Sequence, residues 1–518
     1  MNKKYDVTII GAGHNGLVAA AYLARKGLDV LVLEQKDVVG GACITAELAG
    51  AKYSKASYSY GLFHPKIAED LHLKEHGLVV LDRDPSSFTP LKDGRYLFMH
   101  HSMAKTQKEI AKFSQKDAEK LPEYERRLDR AIDFIGGLLM KTPSNYSMSN
   151  LFSKAKALLL GKDASTLIKL ATYSAYGYAR EFFESEPLIA VLCTDGITGT
   201  FAGPKNKGTA YVLLHHVMGT VNGKRGKWGY AQGGMGAVTQ ALSNVARSYG
   251  AEIRTNADVV SILVKDGTVT GVALKDGTEI RSNVVASNAD PRNTFEKLLN
   301  EKELPKDFLA KIRKIDYSSA SSKINLVLGD MLKFNCYDGP IPAMIHICED
   351  TSYIQRAFED AKSGKIPDNL VLEACMPTVV DKTLAPKGKH VLNIFAQYTP
   401  YNLAGSNWDA EKGNLLKKTI AKMAEYTNIG DIIEAAEVIT PLDLERDFRL
   451  TGGNIFHGAL TLNQIFDNRP VKGSANYRTP ITNLYLCGSG AHPGGGVTGI
   501  PGHNAAREIL KDLGIKNF

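Results

Sequence analysis

Six residues near the start of the chain, Gly11-Ala12-Gly13-His14-Asn15-Gly16, have the types and spacing to hold a dinucleotide, and Glu34 stands 18 residues beyond the last of them. Gly11 permits a tight turn, Gly13 lets backbone N–H groups approach a pyrophosphate, and Gly16 lets the following helix lie close on a sheet. The helix start adds unpaired N–H donors and partial positive charge for the phosphates. Glu34, with Gln35 beside it, is placed to accept hydrogen bonds from ribose hydroxyls, and its charge disfavours a 2′-phosphate. Two features favour FAD over NAD. Gly40-Gly41-Ala42 forms a second glycine pair, able to bring backbone to the same pyrophosphate. A distant block, LYLCGSGAHPGGGVTGIPGHNAAREIL at 484–510, ends a strand in glycines and opens a helix. That arrangement suits the pyrimidine end of a flavin, which gains negative charge on reduction. The glycines at 494–499 repeat the spacing, but Pro501 follows at once and no second strand comes after. With one complete fingerprint, no separate nicotinamide domain is expected.

These residues must be positioned by a βαβ unit: apolar Val7 to Ile10, a helical stretch from His14 to Lys26 stopped by Gly27, then Val30 to Leu33. From about Ala104 to Arg180 the chain reads as helical. Residues 251–287 read as a β-meander with turns at Asp266-Gly267 and Asp276-Gly277, and 291–445 as mixed α+β. The last seventy residues return to strand and helix of the first kind. A chain that leaves its first domain twice and returns twice is expected to place its pocket between two domains.

Composition narrows the function. A net charge of +8 over 518 residues is too dilute for a nucleic-acid surface, and 44% hydrophobic with 23% charged residues excludes bulk disorder. The six cysteines lie far apart, with no C-x-x-C pair and no Cys/His cluster at zinc spacing, so neither a disulfide framework nor a metal is expected. The start runs straight into a strand, and no apolar run approaches the roughly 18 to 20 residues of a membrane span. A cytoplasmic, reducing setting is the expectation.

The opening GAGHNGLVAAAYLARKGLDVLVLEQKDVVGGA, the stretch YAQGGMGAVTQALSNVARSYGAEIRTNADV, the short VVASNADP and the C-terminal block together resemble the phytoene-desaturase-like FAD oxidoreductases. YSKASYSYGLFHPKIAEDLHLKEHGLVVLDRDPSSFTPL and GGNIFHGALTLNQIFDNRP are similar to the branch of pyridine nucleotide-disulfide oxidoreductase domain-containing proteins found in animal mitochondria. The resemblance implies an α/β fold: a glutathione-reductase-like FAD-binding Rossmann domain built from three segments, 1–65, 227–297 and 447–518. An inserted α+β substrate domain would comprise 66–226 and 298–446. It further implies that Gly11 to Gly16, Glu34, Gly41 and Ala42 meet the ADP half. Val259 would meet the adenine through its backbone, and Gly488-Ser489 and Gly496-Val497-Thr498 the ribityl and flavin portions. Many relatives carry Arg where Ala42 stands, which leaves that phosphate contact to backbone. The disulfide of the branch name has no support here, since Cys43 has no partner nearby in sequence.

The activity implied is hydride transfer to FAD from a hydrophobic or amine-bearing small molecule, with oxygen or a quinone as acceptor. The rivals are an amine-oxidase-type reaction and a non-catalytic carrier on the same fold, as in Rab GDP-dissociation inhibitors. The protein's share is then to orient substrate and exclude water. His492, beside Pro493 and the glycine run, is a candidate to hydrogen-bond flavin or substrate, or else to brace its own turn. His457 would face the flavin. Tyr58 and Tyr60, alternating in SYSYG, would line a pocket wall or sit in the core. The pairs His100-His101 and His215-His216 read as surface or packing residues. Lys154, Lys156, Lys162 and Lys169, set among Leu151, Phe152, Leu158 to Leu160 and Leu167-Ile168, suit either peripheral contact with an anionic membrane or a solvated helix face.

Overall fold

The computed structural model describes residues 3–143 and 162–518. Its first sheet has seven strands, drawn from three stretches of chain. Lys4–Ile10 lies centrally, parallel to Val30–Leu33 on one side and to Glu279–Ser287 on the other. Glu252–Arg254 and Leu484–Leu486 extend the parallel part, pairing with Val30–Leu33 and Glu279–Ser287. The Val30–Leu33 strand (VLVL) is wholly buried, as expected where helices cover both faces.

The meander expected over 251–287 begins only at Val259. Val259–Lys265, Thr268–Leu274 and Glu279–Ser287 are its antiparallel strands, while Glu252–Arg254 leaves it for a parallel partner. Asp266 and Gly267 have φ of 50° and 71°, the conformation a two-residue hairpin of the right twist requires.

The second sheet also has seven strands, in the order Ile433–Ile439, Ser321–Leu328, His390–Gln397, Val371–Cys375, Met344–Ile347, Ser87–Pro90, Tyr96–Met99. Its last two strands come from the stretch 66–226, just ahead of the part from about Ala104 that reads as helical. They are four residues each and owe their state to a non-local partner, Ile345 against Phe88. One face of this sheet packs a core of Ile324, Leu326, Ile345, Leu372, Leu392 and Ile394. The alternate residues face the other way: Val327 and Val391 pack on Ala51 and Tyr53, while Lys323, His346, Glu373 and Phe395 face a cavity whose far wall includes Leu128 and Asp195. Among the described residues no helix is long and apolar enough to cross a membrane. Of the basic stretch, residues 151–161, with Lys154 and Lys156, lie outside the described residues; further on, Lys169 pairs with Glu181 at 2.7 Å.

Candidate active site

The loop after the first strand forms because glycine is required there. Gly11 has φ +92° and donates to Leu33 O at 2.8 Å, and a Cβ on Gly16 would stand 2.2 Å from Gly11 O. Gly13 precedes the helix His14–Ala24, which has no side-chain cap and no acid in its first turn. Ser102, Ser114, Asp350, Asn407 and Thr440 cap other helices. The second glycine pair does approach this loop: Gly40 N–H donates to Ala12 O at 2.9 Å, and a Cβ on Gly41 would lie 3.3 Å from Gly13 Cα. An uncapped helix end between two glycine turns is a cradle for a pyrophosphate.

Glu34 is buried and accepts hydrogen bonds from Ala12 N–H (2.9 Å) and Lys36 N–H (3.1 Å), so it also braces the loop. Burial pushes its carboxyl up, against the pull of those donors. Gln35 is half-buried beside it. The chain before Val259 runs alongside, with Ala257 N–H on Glu34 O and Asn256 N–H on Lys36 O, both 2.8 Å. Val259 is therefore at the Glu34 end of the sheet, buried and paired with Leu274. We expect Glu34→Ala to loosen both the loop and the ribose end, lowering FAD affinity by about 1.5 to 3 kcal/mol. Titration of the apoprotein with FAD checks it; unchanged affinity would place the ribose elsewhere.

The C-terminal block closes over the same helix. Asn15 Nδ2 donates to Ser489 Oγ at 3.1 Å, and a Cβ on Gly488 would lie 2.4 Å from Asn288 O. Gly502, in the helix Ile500–Asp512, passes so near the opening helix that a Cβ would meet Asn15 O at 2.0 Å. Gly496 has φ +90° and lies beside His14, while Thr498 O accepts from His64 N–H at 3.0 Å.

His14, Ala42, Ser489, Gly496 and Val497 line a cavity of about 570 Å³ that runs on to the second sheet. His14 Nε2, Asn15 Oδ1 and His457 Nδ1 are buried with no partner in the protein. Orphaned polar atoms and backbone at close approach are what an FAD would complete, and the expected residues fit that group.

The four catalytic candidates separate. His457, with φ +58°, lines the cavity near His14. Tyr58 lines it too and donates to Glu373 Oε1 at 2.9 Å. Tyr60 is not among the lining residues; it is buried against Phe63, its backbone paired with Gly229. The irregular chain at 55–60 breaks the alternation that would put both tyrosines on one wall. His492 is likewise outside the lining, packed on Phe466 beside the end of the helix Gln115–Leu139. Conversely His100, His101 and His216, read as surface or packing residues, line the cavity. Trp228 does so as well, stacked on His216, whereas Trp408 donates to Pro400 O within the second core.

The sequence reading missed the wall built by the second sheet. Ser321, Lys323, His346, Glu373 and Phe395 all face the cavity. Each is an inward alternate of an apolar strand, SSKINLVL, MIHI, VLEAC or HVLNIFAQ, and a lone charge in such a strand was the available signal. Burial pushes the Lys323 ammonium down to about 7. Burial, then the charge of Glu373, pushes Asp195, on the opposite helical wall, up to about 7.

Burial also holds His14, His492 and His503 down to about 4, and His215 and His346 to about 3. An unfolded chain protonates these groups near 6.5, so their stabilising contribution is complete above that pH and declines toward the folded values. Each costs about 1.4 kcal/mol per pH unit over that window. Asp195, Glu34, Glu125 and Glu373, raised in the folded state by burial, work the other way and offset part of this loss. The melting temperature should therefore fall steeply from pH 6.5 to pH 4.5; a flat profile would contradict the burial of these rings.

All six cysteines are unpaired. The flavin containing amine oxidoreductase family model matches residues 16–328. Pyridine nucleotide-disulfide oxidoreductase domain-containing protein 2 of Mus musculus is 42% identical, over 99% of this chain and 94% of that protein. Phytoene desaturase (lycopene-forming) of Pantoea ananas is 25% identical over 98% and 99%. A putrescine oxidase triple mutant, redesigned in cofactor binding, superposes with a TM-score of 0.60 at 17% identity, covering 98% of both chains. Its likeness is one of fold. With the cradle described above, these similarities make the chain a member of the flavin containing amine oxidoreductase family and an FAD-dependent oxidoreductase.

Proposed function

We propose that the chain is a desaturase- or dehydrogenase-like enzyme acting on a hydrophobic small molecule in the cavity between the sheets, with oxygen or a quinone as final acceptor. The observation that carries this reading is the cavity itself. Leu62, Leu128, Ile132, Leu192, Ile455 and Phe456 line it, continuous with the residues of the dinucleotide cradle. When bound, FAD supplies the hydride acceptor. The chain's own residues do the rest. The backbone at Gly11 to Gly16 and Gly41-Ala42 holds the pyrophosphate, Glu34 and Gln35 the ribose, Val259 the adenine, and Gly488-Ser489 with Gly496 to Thr498 the flavin end. His14 and His457 are held neutral by burial and offer uncharged hydrogen-bonding nitrogens at that end. The apolar wall excludes water and orients the substrate.

In this reading the cofactor domain comprises 1–65, 227–297 and 447–518, and the substrate domain 66–226 and 298–446. An amine substrate is favoured by one observation, the Tyr58–Phe395 ring pair, 5.8 Å apart at the cavity wall. Anaerobic photometry of the flavin against isoprenoids, fatty acyl compounds and amines tests both. Bleaching by an isoprenoid or acyl compound supports the first reading, and bleaching by amines alone supports the second.

A further inference from the structure

The cavity wall made by the second sheet has an order that follows from strand register. Lys323 pairs with Phe395, Phe395 with Glu373, and Glu373 with His346. These four side chains form one row across four strands, all on the cavity face. At about 4.8 Å between neighbouring strands, the row spans roughly 14 Å. Its Lys323 end is the cofactor end: Ala42 O accepts from Ser57 N–H at 3.0 Å, and Lys323 Nζ lies 4.3 Å from the ring of the next residue, Tyr58. Its His346 end is remote, and there Arg83 enters the lining from the segment before the strand Ser87–Pro90. Arg83 stands among Tyr230, Cys375 and Glu373, whereas His14 stands among His457 and Gly496.

Arg83 is only 5% exposed, yet its Nε and Nη1 have no partner in the protein. Among the described residues no carboxylate stands at ion-pair distance from it. Glu373 is engaged by the Tyr58 hydroxyl instead. Beside Arg83, Ser86 Oγ and His346 Nδ1 are also buried, unpartnered and part of the lining. The Tyr230 ring lies 5.7 Å from the guanidinium and offers it no hydrogen-bond acceptor through its face, so idle donors at Nε and Nη1 in a buried cation are costly unless an acceptor in the cavity meets them, and an oxyanion is the acceptor that also answers the charge.

We propose that the end of the cavity remote from the dinucleotide loop binds the carboxylate of an amphipathic substrate, with Arg83 as its counter-charge and Ser86 and His346 as flanking hydrogen-bond groups. The carboxylate is preferred to a phosphate because Glu373 and Asp195 both border Arg83 electrostatically and oppose a second negative charge. It is preferred to an ammonium because the idle guanidinium atoms are donors only. The row's length sets the rest of the molecule. A head group at Arg83 leaves roughly 10 to 14 Å to the Lys323 end, which suits an apolar chain of medium length rather than an amino acid.

This inference rests on the cavity being the substrate site, and its test needs binding rather than turnover. FAD-loaded protein is titrated calorimetrically with dodecanoate, dodecan-1-ol, dodecylamine and dodecyl phosphate. Dodecanoate should bind tightest, and Arg83→Gln should weaken it about 10- to 100-fold while leaving dodecanol unchanged. Arg83→Lys should retain part of the affinity, and Glu373→Gln should strengthen dodecanoate binding by removing repulsion. Flavin content and melting temperature report whether each variant is folded; if Arg83→Gln is not, the wild-type ranking and the other two variants decide. Equal affinity for acid and alcohol, or a preference for the amine or the phosphate, would overturn the proposal. Absence of bleaching by the photometric panel, with dodecanoate still bound through Arg83, would defeat the proposed reaction and leave this site standing.

Discussion

Gly13→Glu should give a folded, colourless protein. Gly13 has φ −70° and ψ 169°, which any residue can adopt, so the backbone itself is not strained by the change. A Cβ there would stand 2.8 Å from Asn288 Nδ2, which makes a long 3.3 Å donation to Gly11 O, so this amide can give way. What cannot give way is the approach of Gly41, whose own Cβ position lies 3.3 Å from Gly13 Cα. The new side chain must therefore lie in the cradle over the uncapped helix end. Its carboxylate occupies the place of the pyrophosphate and is itself stabilised there by the helix N-terminus. The combined loss is at least about 4 kcal/mol, roughly a thousandfold in FAD affinity. Visible absorbance of the purified variant and FAD titration of its apoprotein measure this. A yellow Gly13→Glu protein would remove the loop from the cofactor site.

The second large effect is expected at Arg469, which is 2% exposed and donates to the carbonyls of Phe456, Gly458, Ala459, Gln464 and Ser489. One guanidinium thus ties the segment carrying His457 to the segment carrying Ser489, two parts of the same cavity lining. Burial lowers its pKa only to about 10, so it stays charged at neutral pH. Arg469→Met keeps much of the volume and strands four carbonyls, since Ala459 O keeps its bond from Gln464 Nε2. With about 1 to 3 kcal/mol for each buried group left unsatisfied, and relaxation recovering part, a loss of about 4 kcal/mol or more is expected. Arg469→Lys, with three donors on a flexible stem, should recover some of it. Urea denaturation together with flavin retention checks the pair. A loss below about 1 kcal/mol in the methionine variant would show that these carbonyls find other donors.

Several local features were legible from residue order because they depend on neighbours in sequence. The opening strand, the glycine turn and the uncapped helix follow from a few adjacent residues, and so does the Asp266-Gly267 hairpin. The rejection of 494–499 as a second fingerprint rested on Pro501, which sits in the first turn of a helix with no strand after it. Other parts were not legible because their partners are remote. Glu252–Arg254 reads like its meander neighbours and differs only in pairing with Val30–Leu33. Ser87–Pro90 and Tyr96–Met99 are too short to declare themselves as strands. His492 and His457 share a glycine-rich setting, yet one ring turns to Phe466 and the other to the cavity.

Residue order by itself determined the glycine loop and its helix, the flavin class and the family, because glycines at a turn and donors at a helix end act over a handful of adjacent positions. Only the tertiary structure decided which charges share the cavity. Lys323, Glu373 and His346 are 50 and 27 residues apart along the chain and stand in one row because three strand pairings set their register. Arg83 joins them through a sheet edge contributed by another segment. Register is fixed by which face of a sheet must be buried, a property of the folded layers as a whole.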